Sequence, residues 1–580
     1  MSDEIKPDTP TPRKQLSMEM RLLIAFILMG AVLFVTPYFY KTDTPPSPVT
    51  KGIKNGPASG AVSQDENPPA AATPKSAPES GKTAPGQSAK EIARVAAEKE
   101  DTFVVDTDFY RVVFSNRGAV VQSWLLKKFS NNSGKPLELI NTAAVAKTGY
   151  PFQFVFKDRK PAVDLNQSLF SAKPDADSLG ITYEYAEGKT QARKSFHFLK
   201  DSYLVRVTTE VSESAAPLPH LVAWRGGFGD SALTNSAALQ HSIHYDLAQA
   251  KLITQDAKSA KSGPVSASGT YSFAGIEDNY FAAAFLPEGN GSVETMTFGD
   301  SVPTAINPKE ELHVGAAVGG AGRNEYSVFV GPKDVDILRQ VNPKLEQIVD
   351  WGWFALLAKP IFVAVHFVSE RWVHNYGWSI IVVTIAINFV LLPLRMANMK
   401  SMKKMQVAQP EVAKIKEKYK NVGLRDPRKQ QENEEVMALY KKHGANPMGG
   451  CVPMILQIPF FIAFYKVLSV SIEMRHASWL WVSDLSAPES LAIRILPIAM
   501  IATQFIMQRM TPAAGVDPAQ QRMMMLMPLM MGFFFYNLSS GLVLYYLTVN
   551  LVGIGQQWFF NKTMTPAGVA PAAIKKRNGR

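Results

Sequence analysis

The sequence predicts a multi-pass α-helical membrane protein carrying a large β-sandwich domain outside the membrane, and three observations predict it. First, charge is spread unevenly: 61 Lys and Arg against 50 Asp and Glu give a formal net charge of +11 over 580 residues, yet several C-terminal stretches carry none. The mean hydropathy of −0.04 therefore averages over two different solvents. Second, residues 101–341 alternate short β-branched segments with turns, the pattern of a sandwich. Third, an N-terminal apolar run is separated from that domain by a stretch too poor in apolar side chains to fold. An apolar share of 46% excludes a disordered or collagen-like chain. The single cysteine, Cys451, excludes an intrachain disulfide framework and any Cys-based zinc site.

Residues 1–21 form a cytoplasmic tail with Arg13, Lys14 and Arg21. Residues 22–40 carry no charge and end in Pro37-Tyr38-Phe39-Tyr40, an aromatic cluster suited to a membrane interface. A secretory signal peptide is the rival reading. The run exceeds the usual apolar region of about 7 to 15 residues and no small-x-small cleavage site follows, so an uncleaved anchor is expected. Residues 42–100 hold Thr44-Pro45-Pro46-Ser47-Pro48 and Asn67-Pro68-Pro69-Ala70-Ala71 and read as a disordered tether. In the following domain, strand candidates such as Tyr110-Arg111-Val112-Val113-Phe114 and Tyr203-Leu204-Val205-Arg206-Val207 are punctuated by turns such as Asn116-Arg117-Gly118. A domain of that length buries a core without disulfides. Gly226-Gly227-Phe228-Gly229 reads as a turn, because neither a helix pattern nor GK[ST] follows it.

Residues 342–371 are expected to hold an amphipathic helix on the membrane surface, with Leu345, Ile348, Val349, Trp351, Trp353, Phe354 and Leu357 near one another over 344–357, and a connection. Spans are expected over residues 372–396, 447–468, 491–508, 523–538 and 541–561, the last two parted by Asn537-Leu538-Ser539-Ser540-Gly541. With the anchor this makes six spans, five of them clustered. Residues 397–446 and the tail 562–580 are rich in Lys and Arg, so the positive-inside rule places both in the cytoplasm, with both termini. The loop 469–490 and the β-rich domain then lie outside, and the loop 509–522 inside.

The cytoplasmic segment reads as an αα-hairpin, one helix through Met402, Met405, Val412 and Ile415 with Pro410 interrupting it, the other over 427–443. Its charges, among them Lys403, Lys404, Lys414, Lys418, Arg425 and Arg428, suit either a solvated face or a landing site for acidic partners, lipid headgroups or ribosomal RNA. Within the spans, polar residues including Thr384, Asn388, Gln457, Thr503, Gln504, Tyr545, Tyr546, Asn550, Gln556 and Gln557 each cost free energy in hydrocarbon without a partner. They suit interhelical hydrogen bonds or, as a set, a hydrated groove. The expected span 523–538 is about 24 Å long at about 1.5 Å per residue, short of the roughly 30 Å hydrocarbon core, which calls for local thinning. Its methionines give an adaptable apolar surface.

No H-E-x-x-H, G-x-S-x-G or Walker loop occurs and the nine histidines are scattered, so no enzyme, metal or cofactor is expected. A secondary transporter or channel is the alternative class; against it stand the absence of an inverted repeat and of intramembrane Asp or Glu.

Asn446-Pro447-Met448-Gly449-Gly450-Cys451-Val452-Pro453, then Gln457-Ile458-Pro459 and Tyr465, Asp517-Pro518 and Gln521, Met527-Pro528, and Ser540-Gly541-Leu542-Val543-Leu544-Tyr545-Tyr546 with Asn550 and Gln556-Gln557 resemble the YidC/Oxa1/Alb3 family of membrane protein insertases. The long form with an anchor and a large periplasmic domain resembles that of Gram-negative bacteria. The resemblance implies an inner-membrane chaperone and insertase without ATP hydrolysis of its own. It implies a hydrophilic groove that receives nascent membrane proteins, work alone or with the Sec translocon, and a periplasmic β-supersandwich. Where the family has a groove arginine this chain has Asn388; Arg395, two turns on, is the candidate replacement. Ser539 also stands where the family commonly has proline. The expected groove is Thr384, Asn388, Arg395, Gln457, Gln504, Tyr545, Tyr546 and Asn550. The surface along which apolar substrate segments slide is expected at Pro453, Met454, Pro459, Phe460, Met527, Pro528 and Met531. Ribosomes and membrane lipids are the further expected partners of the basic segments.

Overall fold

The computed structural model describes residues 93–231, 236–289, 291–304, 308–420, 422, 426–444, 452–510 and 518–563. The expected N-terminal tail and anchor, most of the tether, Arg425, Cys451 and residues 564–580 lie outside them, as do the side chains of residues 452–456 and 518–524. Ala408–Gly444 form one compact unit, and the other described residues form a second.

The first half is sheet-rich. Strands Thr102–Asp106, Tyr110–Ser115, Val120–Ser130 and Pro136–Glu138 form an antiparallel meander. A ten-stranded sheet has the hairpin Tyr271–Glu277 and Phe281–Pro287 beside Arg323–Pro332, Leu204–Glu213 and Thr190–Phe198; a five-stranded sheet runs from Val265–Gly269 through Val293–Val302 and Glu311–Gly319 to Leu221–Trp224 and Gln153–Val155. Period-two alternation orients the strands: in Thr190–Phe198, Ala192, Lys194, Phe196 and Phe198 point inward. The sheets meet over an aromatic core in which Tyr110 packs edge-on against Trp124 at 5.5 Å and Phe152 against Phe196 at 5.3 Å. Tyr110 also donates its hydroxyl to the Val330 carbonyl at 2.8 Å, tying two sheets together.

Lys194 sits in this core without exposure. Its Nζ donates to the carbonyls of Gly118, Ala119 and Phe152 at 2.9, 3.2 and 2.6 Å, and lies 3.9 Å from the centre of the Phe154 ring. Burial drives its pKa well below the ordinary lysine value. Gly226, Gly227 and Gly229 all adopt positive φ, so the glycine run is a turn. A Cβ at Gly229 would sit 2.0 Å from Asp278 Oδ2.

Three boundaries differ from the sequence reading. The ordered domain starts before residue 101: Val95 bridges Ala186, Asn116 Nδ2 donates to the Lys99 carbonyl at 3.0 Å, and Arg117 pairs with Glu100 at 2.9 Å. Contacts to strands far along the chain hold residues whose composition alone does not order them. The surface helix expected over 344–357 is instead a 3-10 turn, Leu345–Ile348, followed by a break and then a helix at Ala355–Val368. Gly352, at φ +66°, imposes the break. Pro410 lies inside the helix Leu392–Lys418 and does not end it.

After the sandwich come α1 (Val335–Val341), capped by Asp334, α2 (Ala355–Val368), α3 (Tyr376–Val390), α4 (Leu392–Lys418), α5 (Arg428–Lys442), α6 (Val452–Val470), α7 (Ile495–Met510), α8 (Pro518–Phe535) and α9 (Ser540–Thr563). Within Ala408–Gly444, the end of α4 and α5 run antiparallel, with Lys418 on Glu435 at 2.8 Å and His443 on Glu411 at 3.2 Å. Among the described residues no single helix is long and apolar enough to cross a membrane; Ala355–Val373 and Tyr376–Val390 qualify together but are bent by 119°. His374, at φ +48°, makes the elbow, and Asn375 caps α3 by accepting from the Trp378 N–H. α9 is the most enclosed helix, lying against α3, α6 and α7. Large apolar side chains face outward on every side: Trp353, Leu356 and Trp372 around α2, Val390 on α3, Phe533 on α8 and Phe559 on α9. Exposed apolar surface on this scale marks an interaction with something other than water.

Candidate functional site

Thr384 and Asn388 stand one turn apart on α3 and both face inward. Arg395 follows in the first turns of α4. Its Nη1 donates to Gln556 Oε1 on α9 at 2.9 Å and its Nη2 to Gln457 Oε1 on α6 at 3.4 Å. Gln457 Nε2 donates on to the Tyr545 hydroxyl at 2.9 Å, and the Tyr545 ring stacks on Phe464 at 4.1 Å. Gln556 Nε2 reaches the Asn388 carbonyl at 3.4 Å, while Asn388 Nδ2 donates to the Thr384 carbonyl at 2.8 Å. One polar chain thus links α3, α4, α6 and α9.

The half-buried Arg395 makes no ion pair among the described residues; amide oxygens receive its charge. Thr384 Oγ1 and Asn388 Oδ1 are buried without a protein partner, so the site keeps acceptor capacity beside a fixed positive charge. It can hold an acidic or hydrogen-bonding segment within an otherwise apolar bundle.

Five of the eight expected groove residues, Thr384, Asn388, Arg395, Gln457 and Tyr545, fall in this network. Asn550 lies apart, its Nδ2 donating to Thr503 Oγ1 at 3.3 Å and the Met500 carbonyl at 3.4 Å on α7. Tyr546 faces Gln504 and packs against Phe461 and Phe535. These pairs tie helices together, the use a polar residue has when its partner is one helix away. Gln556, not among the expected site residues, joins Arg395 to Asn388. Its signal was present: it follows Tyr545 by eleven residues, three turns along the same face.

The residues expected on the sliding surface face outward only in part. On α8 Pro528 is buried and Met527 and Met531 are half-buried, whereas Met525, Leu526, Leu529, Met530 and Phe533 face outward. A Cβ at Gly532 would lie 2.2 Å from Ile501 Cδ1, so the face holding Pro528, Gly532 and Phe535 is pressed on α7. Pro459 and Phe460 are half-buried on α6, and the side chains of Pro453 and Met454 lie outside the described ones.

Of the basic residues, Lys418 pairs with Glu435 and Arg428 with Asp426 at 2.8 Å, which reduces their attraction for an acidic partner. Lys404 and Lys414 are exposed, and Lys403 Nζ lies 5.8 Å from the centre of the Phe560 ring. Far from the helices, the exposed Asp175, Asp177 and His197 bring ligand atoms within 4.8 Å of one another, with His197 Nδ1 hydrogen-bonded to Asp175 at 3.0 Å.

Two family models match the chain: one described as the 60Kd inner membrane protein over residues 368–567, the other as the YidC periplasmic domain over residues 102–364. Curated relatives named membrane protein insertase YidC include one from Syntrophus aciditrophicus (strain SB), 34% identical over 567 residues, covering 94% of this chain and 100% of the relative. Another, from Pelobacter propionicus, is 33% identical over 571 residues, covering 94% and 99%. A solved structure described as active YidC insertase with its first transmembrane domain resolved aligns with 81% of this chain and 95% of its own, at 18% identity and a TM-score of 0.35.

Proposed function

The chain belongs to the YidC family of membrane protein insertases, and from that premise we propose that the polar network around Arg395 is where it receives the polar segment of a substrate. Its function is membrane protein insertion, its clients are nascent membrane proteins, and it is an inner-membrane protein with a periplasmic domain. Arg395 carries the reading of the site: a guanidinium held by two glutamine oxygens, with no carboxylate paired to it among the described residues, attracts an acidic tail. The partnerless Thr384 Oγ1 and Asn388 Oδ1 lower the desolvation cost of the same segment. Its apolar segment passes along the outward face of α8, driven by roughly 25 cal/mol per Å² of apolar surface removed from water.

In this reading α3, α6, α7, α8 and α9 are the five clustered spans, residues 22–40 are a sixth, and α2 lies on the membrane surface. The 119° elbow and the outward Trp353, Leu356, Val363 and Phe367 support that placement of α2. The basic composition of residues 397–446 and 562–580 supports cytoplasmic termini. It also supports contact with an acidic partner such as ribosomal RNA.

In reconstituted vesicles, Arg395→Ala should lower insertion of an acidic-tailed substrate by about tenfold, the worth of one charge-assisted hydrogen bond, and leave a neutral-tailed substrate nearly unchanged. Equal loss for both tails would assign Arg395 a structural role. Crosslinkers at 388 and 457 should capture the tail of a stalled nascent chain, and crosslinkers at 529 and 533 its apolar segment.

A further inference from the structure

A cleft stands behind the polar network. Between α3, the start of α4 and α9 it opens to about 460 Å³, walled by Phe389, Met396, Met399, Val552 and Phe559. This is within the size range of small-molecule sites. Gly555 lies in its wall, and a Cβ there would meet no atom within 4 Å, so the absent side chain is what leaves the cleft open. Lysines flank the end lined by Phe560 and Thr563: Lys403 Nζ lies 5.8 Å from the Phe560 ring, and Lys562, next to Thr563 on α9, lies with its Nζ 5.2 Å from the ring of Trp558, outside the wall. An apolar trough with lysines beside one end suits a lipid with an acyl chain and an anionic headgroup.

We propose that this cleft is a binding site for a single anionic phospholipid, its acyl chain between α3 and α9 and its phosphate at Lys403 and Lys562. Gln556 forms part of the cleft wall and also holds Arg395 and the Asn388 carbonyl. The lipid therefore sits against the back of the groove, one side chain away from the guanidinium, where its presence steadies Gln556. The lipid site itself does not depend on how the groove handles substrate.

Native mass spectrometry of the full chain, offered phosphatidylglycerol or phosphatidylcholine with matched acyl chains, tests the proposal. One phosphatidylglycerol per chain should be retained in preference to phosphatidylcholine. Lys403→Gln combined with Lys562→Gln should weaken that binding by about thirtyfold, the combined effect of two lysines near a headgroup. Gly555→Leu should abolish binding of either lipid by filling the trough. Equal retention of the two lipids, or unchanged binding in either variant, overturns the proposal. The lysine pair decides the matter if Gly555→Leu does not fold. Because the readout is bound lipid, failure here is distinguishable from failure of the groove, which is read by insertion.

Discussion

At the scale of single residues, burial in the sandwich lowers the pKa of two basic side chains, Lys194 and His220. His220 is enclosed beside Lys194. Its Nδ1 lies 3.0 Å from the Leu218 carbonyl, and its Nε2 lies 2.8 Å from Thr209 Oγ1 and 3.1 Å from Asn324 Nδ2. That pattern satisfies a neutral ring with the proton on Nδ1. Burial, aided by the charge of Lys194, lowers the His220 pKa to about 4. An imidazole freed by unfolding takes up a proton near pH 6.5, whereas the folded one does so only near 4, so the unfolded chain binds more protons across that window. The contribution of His220 is therefore fully present above pH 6.5 and is lost as pH falls towards 4, by up to about 3 kcal/mol. Denaturant unfolding of the full chain at pH 7 and pH 4 should show His220→Gln gaining on the parent by that order at the lower pH. A constant difference between the two proteins would contradict the buried neutral ring.

At the scale of elements, α8 shows how packing selects one face of a helix that is apolar all round. Gly532 lets α8 approach α7 closely, with Ile501 in the space a side chain would fill. Gly532→Leu should destabilise the helical part by about 1–3 kcal/mol through overpacking. Ile501→Ala in the same chain should recover much of the loss, a coupling that a double-mutant cycle in detergent measures. Phe533→Ser, on the outward face, should leave the unfolding midpoint within about 0.5 kcal/mol of the parent. If Phe533→Ser proves the more damaging, the assignment of faces is wrong.

At the scale of the whole molecule, the sandwich and the helical bundle are joined through the segment between α6 and α7. Arg475 there pairs with Asp230 of the sandwich at 2.5 Å, their side chains 4% and 2% exposed. Asn279 Nδ2 also donates to the Ser469 carbonyl at 2.7 Å, and Lys466 pairs with Asp350 at 2.5 Å. Removing one member of a buried pair leaves the other charge stranded, at about 3–5 kcal/mol. Asp230→Ala should therefore separate the unfolding of the two parts in calorimetry and expose residues 476–490 to protease. Asp230→Leu with Arg475→Met should restore most of the coupling, since an apolar pair of similar volume is often neutral. A double variant as loose as the single one would show that the charges themselves hold the interface.

The sequence by itself determined the type of most elements. Period-two alternation marks the strands around Tyr110 and Val205, and uncharged runs mark the helices from residue 372 onward. It also determined most of the polar network, because Thr384, Asn388, Arg395, Gln457 and Tyr545 are conspicuous among apolar neighbours. Tertiary structure alone decided which of those groups meet. Gln556 joins Arg395 across 161 positions and Arg475 joins Asp230 across 245. It also decided which face of α8 looks outward, how Lys194 fits among apolar strands, and that residues 93–100 are held against the sandwich. The physical reason is that local periodicity reports only whether a residue suits water. Choosing between two equally apolar faces, or satisfying a buried charge, depends on partners that no local stretch of sequence contains.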